Sequence, residues 1–125
     1  LGDVRMAALL SKAESGNPTA LNAAAALEMA TLSGARALGM GDRIGSLVAG
    51  KQADIIAIDL SALETQPVYD PISQIIYAAG REQVSHVWVD GRCLMKNREL
   101  TTMQINALED KARWWQARIA TQSAA

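Results

Sequence analysis

The sequence predicts an α+β segment: helices in its first third, short strands in its middle, and one long helix at its end. Three observations predict it. Up to about residue 42 strong helix formers dominate, with Ala23-Ala24-Ala25-Ala26 as the densest run. From Ile44 the texture changes to glycine-bracketed, β-branched stretches, best developed at Ala53-Asp54-Ile55-Ile56-Ala57-Ile58-Asp59. After Thr101 an apolar stripe at helical spacing takes over.

Residues 3–14 suit the first helix, with Asp3 as its N-cap and Ala7, Ala8, Leu9 and Leu10 as strong formers. Gly16-Asn17-Pro18 stops it by C-cap and breaker chemistry. Helix resumes after Asn22, a second N-cap, and runs to about Leu32, with Leu27, Ala30 and Thr31 on one face. Ser33-Gly34 interrupts it, and Ala35 to Leu38 form a short further turn closed by Gly39. Gly45 and Gly50 bracket a short strand, Ser46 to Val48, ahead of a turn at Ala49-Gly50-Lys51. The strand over 53–59 follows, then a loop over 60–69 that contains Pro67.

Asp70-Pro71 opens a helix, because a capping carboxylate precedes a proline at the first helical position. Ile72, Ile75, Ile76 and Ala79 share its apolar face, and Gly80 ends it. Val84 to Val89 is a strand, Asp90-Gly91 a type I′ hairpin turn, and Arg92 to Met95 the return. Lys96-Asn97 turns again, and Arg98 to Leu100 extends the sheet. Thr101 and Gln104 have capping-box spacing before the last helix. Its stripe is Ile105, Leu108, Ala112, Trp115 and Ile119; Glu109 and Asp110 precede Lys111, Arg113 and Arg118, as the helix dipole favours. Residues 121–125 read as a frayed tail.

Composition narrows the function classes. At 125 residues and 13.3 kDa, surface scaling gives about 6,400 Å² folded against about 19,300 Å² unfolded, which allows a sizeable core. Half the residues are hydrophobic, which argues against disorder. Twelve basic and 13 acidic residues offer no field to steer nucleic acid or an anionic membrane. A single cysteine, Cys93, excludes an internal disulfide framework and fits a reducing cytoplasm. No apolar run approaches the roughly 18 residues of a membrane span. The start at Leu1-Gly2-Asp3 lacks an initiator Met and a signal-peptide pattern, as expected of a chain that begins mid-protein. Aromatic content is only 4%, with no Phe, so large apolar anchors are scarce. Such a chain reads as one that packs against a partner.

Each chemical candidate meets a stronger structural reading. Gly45 through Lys51-Gln52 nearly matches G-x-x-x-x-G-K-[ST], but Gln52 replaces the metal-binding hydroxyl and a strand, not a helix, follows. Turn chemistry is favoured. Gly39, Gly41 and Gly45 miss the dinucleotide-binding glycine spacing by one residue. His86 is the only histidine, and catalytic zinc needs companions that no second His or cysteine cluster supplies. Alternation puts it on a face with Val84 and Trp88, as a structural residue. Cys93, in an apolar return strand with no base nearby, reads as a small hydrophobe. Asp54 and Asp59, five residues apart on a strand, point to opposite faces and form no dyad. Trp114-Trp115, without basic excess, reads as packing, not as a stacking platform for bases. The expected set of catalytic residues is none, and of metal ligands none.

Longer blocks are more specific. Ala30-Thr-Leu-Ser-Gly34-Ala-Arg-Ala-Leu-Gly39, Ile44-Gly-Ser-Leu-Val-Ala-Gly-Lys51-Gln-Ala-Asp54-Ile-Ile, and Val87-Trp-Val-Asp-Gly91-Arg together resemble the C-terminal signature of the amidohydrolase superfamily. Gln66-Pro-Val-Tyr-Asp-Pro-Ile-Ser-Gln-Ile-Ile-Tyr-Ala-Ala79 is similar to 5-methylthioadenosine/S-adenosylhomocysteine deaminases and their chlorohydrolase-like relatives. The resemblance implies a segment of a larger α/β protein, a (β/α)₈ barrel with a composite β-sandwich built from both chain ends. It implies closing helices of the barrel over 1–42, C-terminal strands of the sandwich over 43–100, and a terminal helix and tail over 101–125.

The family's ligands are an H-x-H pair, two further histidines and an aspartate, all on barrel strands before the segment seen here. Leu1-Gly-Asp-Val-Arg5-Met-Ala-Ala-Leu-Leu10 matches the helix just after that aspartate. The implied parent carries one divalent metal, of the zinc type, whose bound hydroxide attacks the ring carbon bearing the amine. The implied reaction is deamination of an adenosine-type thioether nucleoside, with guanine or triazine deamination as rivals. The implied partners are the remainder of the parent chain or a symmetry-related copy. A self-contained, non-enzymatic α+β interaction module is the alternative from a different class.

Overall fold

The computed structural model describes residues 1–122; of the tail expected to fray over 121–125, Thr121 and Gln122 continue the last helix, and 123–125 lie outside the described residues. In chain order the helices are α1 (Gly2–Ser15), α2 (Ala23–Glu28), α3 (Gly34–Ala37), α4 (Pro71–Tyr77) and α5 (Ile105–Gln122). The strands are β1 (Ile55–Ile58), β2 (Val84–Val89), β3 (Arg92–Lys96) and β4 (Glu99–Leu100). They form one antiparallel sheet in the order β1-β2-β3-β4.

Local chemistry explains most element ends. Gly16 closes α1 in the left-handed region at φ 61°, where a side chain would be strained. Leu1, not Asp3, occupies the N-cap of α1; Asp3 lies in the first turn, where its charge still suits the helix dipole. Asn22 caps α2, its side-chain oxygen accepting from the Ala25 N–H at 3.0 Å. The expected break at Ser33-Gly34 does not occur. The chain passes from α2 through a π-helical stretch, Met29–Ser33, directly into α3. Gly34 has ordinary helical angles there, so the glycine costs helix propensity without ending the helix.

Asp70 behaves as expected, accepting from the N–H groups of Ile72 and Ser73, both at 3.2 Å, ahead of Pro71 at the helix start. The Ser73 hydroxyl also donates to it and holds its carboxyl below the usual aspartate range. A folded pKa below the unfolded one means the cap stabilises above the unfolded value and fades as pH falls through the folded one. The Ile72 and Ser73 amide resonances should therefore titrate with a midpoint below about 3.9, the ordinary aspartate value. A midpoint at or above that value contradicts the cap.

The strand expected at Ser46–Val48 is absent. Residues 41–51 instead form a turn-rich loop held from within: the Lys51 ammonium donates to the carbonyls of Gly41 and of Ile44, and Gln52 N–H to Arg43 O at 2.8 Å. β1 is shorter than 53–59, and the carboxylates at its two ends fix the adjoining turns. Asp54 accepts from the Asp90 N–H at 2.7 Å, and Asp59 from the Ser61 N–H at 2.8 Å. The hairpin at Asp90-Gly91 has positive φ at both residues, 50° and 74°, as a type I′ turn requires. Within the expected loop over 60–69, Leu63–Thr65 adds a single 3₁₀ turn around the fully buried Thr65.

Two cations tie α1 to its neighbours, one to the end of α4 and one to the turn before α2. Arg5 donates to Ile76 O at 3.1 Å and Ala79 O at 2.6 Å, while Lys12 donates to Ala20 O and Leu21 O. These side chains satisfy carbonyls that helix ends and turns leave open. Between the helices lies a small core of Ala8, Ala23, Ala26 and Ile76, flanked by Val4, Leu21, Leu27 and Ile75. On α2 the buried stripe is thus Ala23 and Ala26 beside Leu27; Ala30 and Thr31 are exposed.

The sizeable core that the length allows is not built within this chain. Its surface is 9058 Å², against about 6,400 Å² for a compact protein of the same mass. Ile55, Ile58, Val87 and Trp88 are half-buried, while Ile56 and Val89 are exposed on the sheet. Every described side chain of α5 through Thr121 is exposed. Thr101 does not cap that helix: it donates to Cys93 O at 2.6 Å, four residues before α5 begins.

Candidate functional site

Three places gather side chains capable of chemistry. The first is an open cleft of about 430 Å³ between the α2–α3 rod and the 41–51 loop, lined by Leu32, Arg36, Asp42, Ser46, Val48 and Lys51. It exists because Gly45 lets the loop touch the helix: an added Cβ would sit 2.6 Å from Ala35 Cβ and 3.0 Å from Leu32 Cα. The resemblance to a phosphate loop ends here. Lys51 holds two carbonyls of its own loop, and Arg36 faces Glu28 at 3.8 Å. A phosphate loop needs its lysine and backbone N–H groups aimed at the anion. This one is a stapled turn.

The second place is one face of the sheet. His86 stacks on Trp88, ring centroids 5.3 Å apart and 6° from parallel, and Trp88 lies opposite Cys93 across β2 and β3. The sheet therefore brings His86, Trp88 and Cys93 onto a common face, as alternation along β2 predicts. His86 Nδ1 lies 3.0 Å from Ser85 Oγ. The same hydroxyl donates to Ala57 O at 3.2 Å, so His86 Nδ1 and the Ala57 carbonyl share one Ser85 oxygen. Cys93 Sγ points its weak donor at Met95 O, 3.3 Å away. Neither residue is arranged as a nucleophile beside a base.

The third place is α5. Trp114 and Trp115 meet edge to face at 4.8 Å, with the Arg118 guanidinium 5.2 Å and 5.9 Å above their rings. Their exposures, 53% and 49%, differ from the packed role expected of them; nothing among the described residues covers them. Asp54 and Asp59, read as separate, are separate, each fixing a different turn.

Zinc takes three or four converging nitrogen, sulfur or oxygen donors. Among the described residues no three His, Cys, Asp or Glu side chains come together. The donor set of the described residues does not fit a zinc site. No helix among the described residues is long and apolar enough to cross a membrane.

Residues with a positioning role that the sequence reading missed are Arg5, Lys12 and Arg98. Arg98 donates to Arg81 O and Glu82 O at 3.0 and 2.5 Å and so closes the 3₁₀ turn before β2. The only signal for such residues is a cation near a helix end in space, which spacing along the chain does not reveal.

Known proteins resemble this chain over most of its length. The family described as "Amidohydrolase family" matches residues 1–94. A 5-methylthioadenosine/S-adenosylhomocysteine deaminase of Teredinibacter turnerae is 43% identical over 94% of this chain and 26% of its own length. The crystal structure of an adenosine deaminase from Xanthomonas campestris with bound zinc superposes at a TM-score of 0.90. It is 55% identical over 96% of this chain and 27% of that one. Atrazine chlorohydrolase from Arthrobacter aurescens, complexed with zinc, superposes at 0.77 with 31% identity, over 88% of this chain and 24% of that one. The chain thus spans about a quarter of the length of the relatives it matches. It belongs to the amidohydrolase family.

Proposed function

We propose that the chain is the C-terminal part of a zinc-type amidohydrolase that hydrolytically deaminates an adenosine-type nucleoside, of the 5-methylthioadenosine or S-adenosylhomocysteine class. The observation that carries this reading is the 55% identity and 0.90 TM-score with the zinc-bound adenosine deaminase. In this reading residues 1–42 are closing helices of a barrel, 43–100 contribute strands to a composite β-sandwich, and 101–125 form the terminal helix and tail. Metal ligands and catalytic groups come from the rest of the parent chain, and none from these 125 residues. The work of this segment is to hold shape. The ties from Arg5, Lys12, Lys51 and Arg98 to open carbonyls support such a scaffold role, since each fixes one turn or helix end against its neighbour. The near-balanced charge supports a small-molecule substrate over nucleic acid or a membrane.

The test is to express the longer reading frame and measure ammonia release from 5-methylthioadenosine, S-adenosylhomocysteine and an s-triazine. Turnover of a nucleoside is expected; turnover of the triazine alone overturns the substrate. Residues 1–125 by themselves are expected to hold no stoichiometric zinc and to release no ammonia. One tightly held metal per chain, lost on changing His86, contradicts the assignment of no ligand here.

A further inference from the structure

Among the described residues, helix α5 leaves the apolar stripe of Ile105, Leu108, Ala112 and Trp115 exposed. Ile105, Leu108, Ala112 and Trp115 follow a three-four-three spacing along one face, and Ile105, Leu108 and Trp115 are 48%, 49% and 49% exposed. An isolated helix of this length is marginal in water, and most helical stability in proteins comes from packing an apolar face. The stripe therefore needs an occupant.

A second copy of the same helix is a poor one. The 18 residues of α5 offer about two and a half heptads, short of the three to four that a self-pairing seam sustains. The positions flanking the seam are Glu109, Lys111, Gln116 and Arg118. Antiparallel pairing would set Lys111 against Arg118, and parallel pairing would set Lys111 against neutral Gln116, so neither orientation gains complementary charges. Glu109 is already engaged with Arg113 on its own helix, and Arg118 with the two indoles.

The remaining body of a longer chain is a good one. The superposition on the zinc-bound deaminase takes in 96% of this chain, leaving out about five residues, so it includes most of α5. That deaminase carries nearly three-quarters of its length beyond the matched part. Resting on the reading that this chain is part of such a protein, we infer that the Ile105–Leu108–Ala112–Trp115 stripe is an intramolecular clamp. It docks α5 on an apolar surface of the preceding body of the same chain, and it is not a seam between copies.

The test uses the full-length protein and hydrogen exchange read over α5. At two concentrations a hundredfold apart, the α5 amides should be protected equally, and Leu108→Asp should speed their exchange at least tenfold without changing the sedimentation coefficient. Protection that disappears on dilution, or a Leu108→Asp protein of smaller assembly size, assigns the stripe to a second copy and overturns the clamp. Unprotected α5 amides at both concentrations in the wild-type protein overturn it as well, and need no variant that folds. Deamination assays on the same sample keep the two readings apart: a protected α5 in a protein with no deaminase activity removes the proposed function and leaves the clamp standing.

Discussion

Replacing Ile76 with alanine should destabilise the helical layer by about 3 kcal/mol or more, in the range for emptying a fully buried branched side chain. Ile76 is 1% exposed and, among the described residues, is the one large apolar side chain fully buried. Its neighbours there are Ala8, Ala23 and Ala26. Methyl groups have no rotamers with which to reach into the hole, so the cavity persists. The Arg5 ties to Ile76 O and Ala79 O also hold the backbone against collapse. In the native full-length protein, amide exchange through α1, α2 and α4 should speed up about a hundredfold. Ile76→Val, which removes one methylene, should cost about 1 kcal/mol. Equal effects from the two substitutions would show that the site relaxes and that the core argument is wrong.

The second large effect is expected at Gly45. Its φ of 84° is left-handed, and a Cβ there would meet Ala35 Cβ at 2.6 Å and both Leu32 Cα and Thr31 O at 3.0 Å. Gly45→Ala therefore combines backbone strain of about 1–2 kcal/mol with overpacking of about 1–3 kcal/mol. Two of the three contacts are helix backbone, which cannot swing aside. The 41–51 loop should lift off the α2–α3 rod and become a site of proteolysis. Gly50 supplies the control, because its φ is also left-handed, at 92°, yet open space surrounds it. Gly50→Ala should lower thermal stability by the strain alone. If the two alanines are equally costly, the close approach at Gly45 contributes nothing.

Features set by a few adjacent residues were legible in the sequence. Asn22, Asp70-Pro71 and Asp90-Gly91 each act within three or four positions, and each does in the structure what its chemistry dictates. Features decided by tertiary contact were not. Ser33-Gly34 looks like a break, yet the rod continues as a π-helical stretch with the loop of Gly45 laid against it. Ser46–Val48 has strand composition but no neighbouring strand to pair with, and Lys51 draws the chain into a turn instead. Thr101 has capping spacing, but the carbonyl of Cys93 competes for its hydroxyl and wins. The candidate site followed the same division. Spacing and residue type separated Asp54 from Asp59 and placed His86 with Trp88, whereas the meeting of Ser85 Oγ with Ala57 O and His86 Nδ1 required coordinates. Family membership was legible because blocks such as Gly34-Ala-Arg-Ala-Leu-Gly39 and Ile44 to Asp54 are long, and they include the left-handed Gly39 and the close approach of Gly45 to Ala35.

The alanine-built core has a consequence for how order is acquired. Among the described residues, five of the six buried apolar ones, Ala8, Ala23, Ala26, Ala35 and Ala79, are alanine. An alanine side chain has no rotamer freedom to lose on burial, whereas a leucine or isoleucine gives up about 0.5–1 kcal/mol and a methionine more. The helices of this layer can therefore settle against one another, or part and return, without freezing or releasing side-chain torsions at their contact. What fixes them is the distance between backbones and the few cations that reach across. Such an interface behaves less like interlocked teeth than like two smooth plates pinned at their edges. It is indifferent to torsional disorder, and intolerant of any added methylene that would push the plates apart.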